Sequence, residues 1–165
     1  MKCRLIGIGS KVYHNNCEML GLEMLLASLL EKNIQTEIIY YEFDAGKTIT
    51  EFCREYDWTE IKLVAFSVFY TTFDIASDII DKIKEFNSKI LFCAGGTAVS
   101  HAATECLDYM SGLNFVIRGE GEITICDVME RLIAGCFKIC TAYFRYFSIT
   151  AITILLIVRP FLLNP

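Results

Sequence analysis

Residues 63–96 read LVAFSVFYTTFDIASDIIDKIKEFNSKILFCAGG, and this stretch decides the fold. It opens on a β-rich run, Leu63 to Val68, and ends on another, Lys89 to Ala94. Between them, Phe73 to Phe86 sets Ile75, Ile79, Ile80 and Ile83 on one face and Asp78, Asp81, Lys82 and Lys84 on the other. That is the period of an amphipathic helix. Strands apolar at successive positions belong to a sheet covered on both faces, and a helix between two of them makes a parallel pair with a crossover.

The same unit repeats outward in both directions. Cys3 to Ile8 and Thr36 to Phe43 read as strands before it, and Phe115 to Arg118 reads as one after it. Glu18 to Glu31 has helical spacing, with Leu20, Met24 and Leu25 on one stripe. Thr48 to Tyr56 is a shorter helix that starts on a threonine cap ahead of Glu51. Ser100 to Tyr109 and Glu122 to Ile133 are the remaining two helices. Strict alternation of this kind predicts one α/β domain over residues 1–134, followed by an apolar tail over 135–165. The expected domain is a flavodoxin-like (Rossmann-like), doubly wound, five-stranded parallel sheet of order 2-1-3-4-5. The chain then reverses between the first and third strands, and ligands bind outside the carboxyl ends of the strands at that switch point.

Charge narrows the ligand. A formal net charge of −5 and a pI near 5.1 leave no basic footprint for a phosphate backbone, so nucleic acid is excluded as a partner. Cys93, Cys106 and Cys126 sit inside apolar runs, where cysteine behaves as a small hydrophobe. Met1-Lys2-Cys3-Arg4 leads into a short strand rather than the long apolar core of a signal peptide. Reduced thiols in a cytoplasm are expected.

The loops at the switch edge are Gly9 to Cys17, Phe69 to Thr72, Gly95 to Ser100 and Gly119 to Gly121. A phosphoacceptor site needs clustered acids after the first strand, an acid after the third and a lysine after the fifth. The chain has Gly9-Ser10, Phe69-Tyr70 and Arg118 at those places. A dinucleotide loop needs Gly-x-Gly-x-x-Gly; Gly7-Ile8-Gly9 begins it, but Val12 stands where the third glycine belongs. A flavin phosphate needs several hydroxyls in the first loop, and Ser10 alone is too few. A large ligand whose tail enters the edge between the third and fourth strands instead needs glycines ending the fourth strand, because side chains there would block close approach. Leu91-Phe92-Cys93-Ala94-Gly95-Gly96 supplies them, with Thr97 following and the small hydroxyl of Ser67 ending the third strand. A paired glycine after a strand is also an ordinary turn. The fifth loop, Arg118-Gly119-Glu120-Gly121-Glu122, is more specific. An acidic helix cap explains Glu122, but not why Arg118, Glu120 and two glycines accompany it.

With those residues in place, the chain resembles the cobalamin-binding domain that lies N-terminal to many radical-SAM enzymes. The resembling segments are Leu20 to Leu30, Val64-Ala65-Phe66-Ser67, Phe92 to Gly96, and Phe115 to Glu122, in order over roughly residues 3–134. The resemblance implies cobalamin as cofactor. Ser67 and Gly95-Gly96 would line the slot for the lower nucleotide loop of the corrinoid, and the Arg118 to Glu122 turn would shape the neighbouring rim. Gly9, Ser10, Phe69, Tyr70 and Thr97 complete the expected cofactor-binding set with Arg118, Gly119, Glu120 and Gly121. Another branch of the family places Asp-x-His-x-x-Gly in the first loop to give cobalt a histidine. That motif is missing here, since His14 has Val12 two positions before it and Cys17 three after. His14 lies in the right loop to face cobalt, but a solvated loop histidine is the preferred account of it. No other metal ligand is expected, and His101 reads as a helix-start residue.

The resemblance stops near Gly135. The full-length enzymes continue into a domain whose Cys-x-x-x-Cys-x-x-Cys loop holds a [4Fe-4S] cluster. This chain has Cys136 and Cys140, with Tyr143 at the third position, so no iron–sulfur cluster and no catalysis are expected of it. A separate radical-SAM domain acting in trans is one expected partner. The tail is apolar, and the uncharged run from Tyr146 to Val158 is 13 residues, short of the roughly 20 that span a bilayer as a helix. Tolerating Arg145 extends it to Ile139–Val158. The tail therefore reads as a membrane segment, as a helix docked on the domain, or as the product of premature termination such as a frameshift, the last being preferred.

Overall fold

The computed structural model describes residues 1–10, 16–136, 147–149 and 152–158. In chain order the elements are β1 (Lys2–Gly9), α1 (Asn16–Glu31), β2 (Gln35–Glu42), α2 (Ile49–Arg54), β3 (Ile61–Ser67), a single 3₁₀ turn (Tyr70–Thr72), α3 (Phe73–Phe86), β4 (Leu91–Gly95), α4 (Thr97–His101), α5 (Ala103–Tyr109), β5 (Phe115–Arg118), α6 (Glu122–Ile133), β6 (Phe147–Ile149) and β7 (Ile152–Val158). The first five strands are parallel neighbours in the order β2-β1-β3-β4-β5. The doubly wound, flavodoxin-like sheet expected from the alternation is the one observed, with its switch point between β1 and β3.

Strand alternation divides the interior into two cores. Ile6, Ile8, Val64, Phe66, Phe92, Ala94 and Val116 face α2 to α5, where Phe52, Ile79, Ile80, Ile83 and Leu107 pack on them. Cys3, Leu5, Leu63, Ala65, Cys93, Phe115 and Ile117 face the other way, onto Leu22 and Leu29 of α1 and Ile125, Val128 and Met129 of α6. Burial on both faces is why these strands carry near-continuous apolar runs. The polar detail follows the sequence too. The Thr48 hydroxyl accepts from the Glu51 amide at 3.2 Å, and the Glu51 carboxylate accepts from the Thr48 amide at 2.9 Å, a reciprocal cap at the start of α2.

Three elements differ from expectation. The inward stripe of α1 is Leu22, Leu25, Leu26 and Leu29, while Leu20 and Met24 turn outward, 61% and 50% exposed. This helix is apolar on most of its circumference, so spacing alone admits more than one stripe, and the sheet it lands on selects among them. The expected helix from Ser100 to Tyr109 starts earlier and is broken. Gly96 (φ +107°) turns the chain directly off β4 into α4, and Ala102 (φ −129°, ψ 47°) leaves helical geometry before α5. His101 therefore ends a helix instead of starting one, and it is exposed. In the tail, 147–149 and 152–158 are strands rather than helix, and β7 lies antiparallel on β5 with Phe115 opposite Val158. A run of Ile, Thr, Leu and Val suits a pleated strand better than a helix. Residues 137–146, with Cys140, Tyr143 and Arg145 among them, lie outside the described residues. No helix among the described residues is long and apolar enough to cross a membrane.

The amino edge of the sheet is closed by a buried cation. Arg4 lies 4.4 Å over the Trp58 ring and 5.2 Å over Tyr56, donates to the Glu37 carboxylate and reaches the Asp57 carbonyl at 3.1 Å. Its charge and donors are thereby matched within the protein.

Two outcomes follow from this packing. Phe92→Ala removes a fully buried ring from the larger core and should cost about 3–5 kcal/mol in urea unfolding. Burial pushes the thiols of Cys3 and Cys93 well up and that of Cys53 up to about 11. Iodoacetamide at pH 8 should then leave these three unmodified in the native protein while alkylating exposed Cys136, as read by peptide mass spectrometry.

Candidate functional site

The ladder register brings three small residues into one row. Gly7 of β1 pairs with Ser67 of β3, and Ser67 pairs with Gly95 of β4. By the period-2 alternation all three belong to the face covered by α1 and α6, because Leu5, Ala65 and Cys93, two residues earlier on each strand, pack there. The row lies at the carboxyl edge of the sheet, where Gly7 is buried under Tyr40 and Leu22 while Ser67 and Gly95 are half-buried. The Ser67 hydroxyl makes no hydrogen bond among the described residues and is only half-buried, so it has a donor and an acceptor to offer.

The glycines at this edge differ in what the fold asks of them. At Gly96 the backbone has φ +107°, and a Cβ would stand 3.0 Å from the Val68 carbonyl oxygen. Only glycine combines that dihedral with that approach. At Gly95 the nearest atom to an added Cβ is the Ile117 carbonyl oxygen at 3.5 Å, an ordinary contact. Among the described residues no other atom comes within 4 Å of that Cβ, so the fold does not itself require glycine at this position. Gly121, at the start of α6, is wedged between α1 and β5, with a Cβ there 3.1 Å from Leu25 Cδ2 and 3.7 Å from Ile117 Cγ2.

The other expected residues surround this row at varying distance. Gly9 ends β1, and its carbonyl accepts from the Phe43 amide at 3.1 Å; Ser10 next to it donates to the Asp44 carboxylate. The loop after β3 is held by Thr72, whose hydroxyl accepts from the Phe69 amide at 3.0 Å, leaving Tyr70 68% exposed with its ring against Phe73. Thr97 opens α4 and is exposed. The Gly119 amide donates to the Ser100 hydroxyl at 3.3 Å, tying the fourth loop to the fifth. Arg118 falls one position after Ile117 and so on the opposite face of the sheet from Ser67 and Gly95, with no ion pair among the described residues. Glu120 is exposed beside it. His14 lies outside the described residues. Among those described, no group of three or more histidine, cysteine or acidic side chains gathers as a metal site.

Gly7 and Leu25 lie at the same edge, with Tyr40 over Gly7, and this grouping was not legible in the sequence. Tyr40 of β2 is in register with Gly7, and a Cβ on Gly7 would lie 2.6 Å from its Cδ1. The available signal was Gly7 itself, a glycine inside a strand, which marks close approach by another group.

A parallel five-stranded sheet of order β2-β1-β3-β4-β5, with small residues at its switch edge, defines an α/β domain of the doubly wound class. The model of the B12-binding domain matches residues 8–129, and the chain belongs to that family. A search of curated proteins finds no match. Among solved structures, the chain is similar to the radical S-adenosylmethionine methyltransferase TsrM from Kitasatospora setae, with cobalamin and a [4Fe-4S] cluster bound. The TM-score is 0.66 at 19% identity, over 82% of this chain and 25% of that one. It is also similar to the cobalamin-dependent S-adenosylmethionine radical enzyme OxsB with aqua-cobalamin and S-adenosylmethionine bound. There the TM-score is 0.61 at 19% identity, over 82% of this chain and 19% of that one. This chain thus spans about a quarter or less of the length of these neighbours and matches their fold.

The two glycines separate experimentally. Gly96→Ala should destabilise by about 1–3 kcal/mol through backbone strain. Gly95→Ala should change stability by less than about 1 kcal/mol in the same denaturant titration.

Proposed function

We propose that this protein is a corrinoid-holding module of the kind that serves radical S-adenosylmethionine chemistry, and that residues 1–134 perform no catalysis themselves. The observation that carries the reading is the pairing of Gly95, where among the described residues an added Cβ meets only the Ile117 carbonyl oxygen, with Ser67 at the switch edge of a B12-binding domain. The residues present fit the group: small Ser67 and Gly95 leave room for a narrow nucleotide tail, and partly buried Leu25, packed beside Gly121, offers apolar surface at the same edge. Cobalamin, when bound, supplies a cobalt centre for methyl or radical transfer. Ser67 would offer the tail a hydrogen bond, and the missing side chain at Gly95 would leave it room beside that hydroxyl. Gly121 sets the gap between α1 and the sheet, and Ser100 fixes the turn at Gly119 that forms the rim.

The chemistry itself would come from a radical S-adenosylmethionine domain outside residues 1–134, on the same polypeptide or on a separate one. Buried free thiols at Cys3, Cys53, Cys93, Cys106 and Cys126 support a reducing compartment such as the cytoplasm.

Hydroxocobalamin mixed with the purified protein should co-elute with it on gel filtration. Gly95→Val, checked for an unchanged circular dichroism spectrum, should bind at least about tenfold more weakly, a loss of roughly 1.4 kcal/mol. Free elution of the corrinoid at tens of micromolar wild-type protein would overturn the reading.

A further inference from the structure

The two tail strands carry the sheet past its own carboxyl edge. β7 pairs with β5 from Val158 opposite Phe115 to Leu155 opposite Arg118, the last pair before β5 ends. β7 itself begins at Ile152, and β6 pairs with the overhang alone: Ile149 with Ile152, Ser148 with Thr153, and Phe147 with Ile154. At a rise of about 3.4 Å per residue, this two-stranded ribbon stands ~10 Å beyond the end of β5.

Register decides which residues share a face of the ribbon. Paired residues of an antiparallel ladder lie on one face, and successive residues alternate. Phe115 and Ile117 belong to the core under α1 and α6, so their partners Val158 and Leu156 fall on that face, and Ile154 and Ile152 follow by alternation. Phe147 and Ile149, opposite them on β6, join the same face, while Ser148 and Thr153 fall on the other. The ribbon is thus amphipathic, and its apolar face is the one shared with Ser67 and Gly95. Helix α6 starts at the carboxyl edge and runs back along the sheet, away from the overhang.

A two-stranded ribbon is marginal in water by itself, and an apolar face on it is stabilised by whatever covers it. β4 and β7 are separated by β5 alone, two strand spacings or about 10 Å. A macrocycle seated at Ser67 and Gly95 is wide enough to bridge that distance, and the rim of a corrin ring carries methyl groups.

Resting on the corrinoid reading, we propose that residues 147–154 form a side wall of the corrinoid site, with the face of Phe147, Ile149, Ile152 and Ile154 against the rim of the corrin ring. The apolar tail then belongs to the ligand site. Its contact is with the macrocycle common to all corrinoids, not with the nucleotide.

Two measurements on the full chain test this. Hydrogen exchange followed by mass spectrometry should slow in peptides spanning 147–154 when either hydroxocobalamin or dicyanocobinamide, which has no nucleotide, is added to wild type. In equilibrium dialysis, the double variant Ile152→Ser, Ile154→Ser, checked for an unchanged circular dichroism spectrum, should lose about tenfold for both corrinoids. Ser148→Ala with Thr153→Val, on the reverse face, should bind like wild type. Unchanged exchange at 147–154 with corrinoid bound, or equal effects of the two faces, would overturn the wall while leaving the corrinoid site standing. Protection that arises without corrinoid, on raising the protein concentration or adding phosphatidylcholine vesicles, would give the face to a second copy or to a lipid surface and overturn the proposal. Failure of wild type to bind either corrinoid would overturn the corrinoid reading and this inference with it.

Discussion

The carboxyl edge depends on one constraint, the hydrogen-bonded register of three parallel strands. Gly7, Ser67 and Gly95 come from positions far apart in the chain, and they form one row only because β1, β3 and β4 pair as they do. A slip of one residue along β3 would turn Ser67 to the opposite face and put Phe66 or Val68 in its place in the row. Burial on both faces prevents the slip, since Phe66 and Val68 are committed to one core and Ala65 to the other. The stability of the sheet and the shape of the site are thus set by the same pairing.

The two edges of the sheet show contrasting chemistry. At the amino edge Arg4 is buried, stacked and hydrogen-bonded, and the network around it is satisfied by protein groups alone. At the carboxyl edge Ser67 lacks a partner among the described residues, and an added Cβ at Gly95 would meet only the Ile117 carbonyl oxygen among them. The half-buried Ser67 hydroxyl is therefore free to bond to water or a ligand. This is the edge at which the strand order has its switch point.

The fold was readable in the sequence because each strand is apolar at successive positions and α3 carries a clean helical period. β5 and α6 have the bounds expected of them, and Thr48 caps α2 as its spacing with Glu51 implied. The face of α1 was not readable, because a helix apolar nearly all round leaves the choice of Leu22 and Leu29 over Leu20 and Met24 to tertiary contact. The site was legible only in part. Ser67, Gly95 and Gly96 stood out as strand-end residues, but Gly7 becomes a neighbour of both Ser67 and Tyr40 only through pairing register, which local pattern does not encode. Arg118 and Gly119 were grouped as one turn in the chain, yet strand alternation puts Arg118 on the face away from Ser67.

The family supplies the ligand class, and the proposed seat for it is the carboxyl edge at Ser67 and Gly95. The measurement that tests this most directly is a backbone amide NMR titration of the isotope-labelled protein with hydroxocobalamin. The account predicts that shifts concentrate at Gly7, Ser67, Gly95, Gly96 and Gly121. Shifts clustered at the amino edge around Lys2, Gln35 and Glu60, or none at saturating corrinoid, would contradict it.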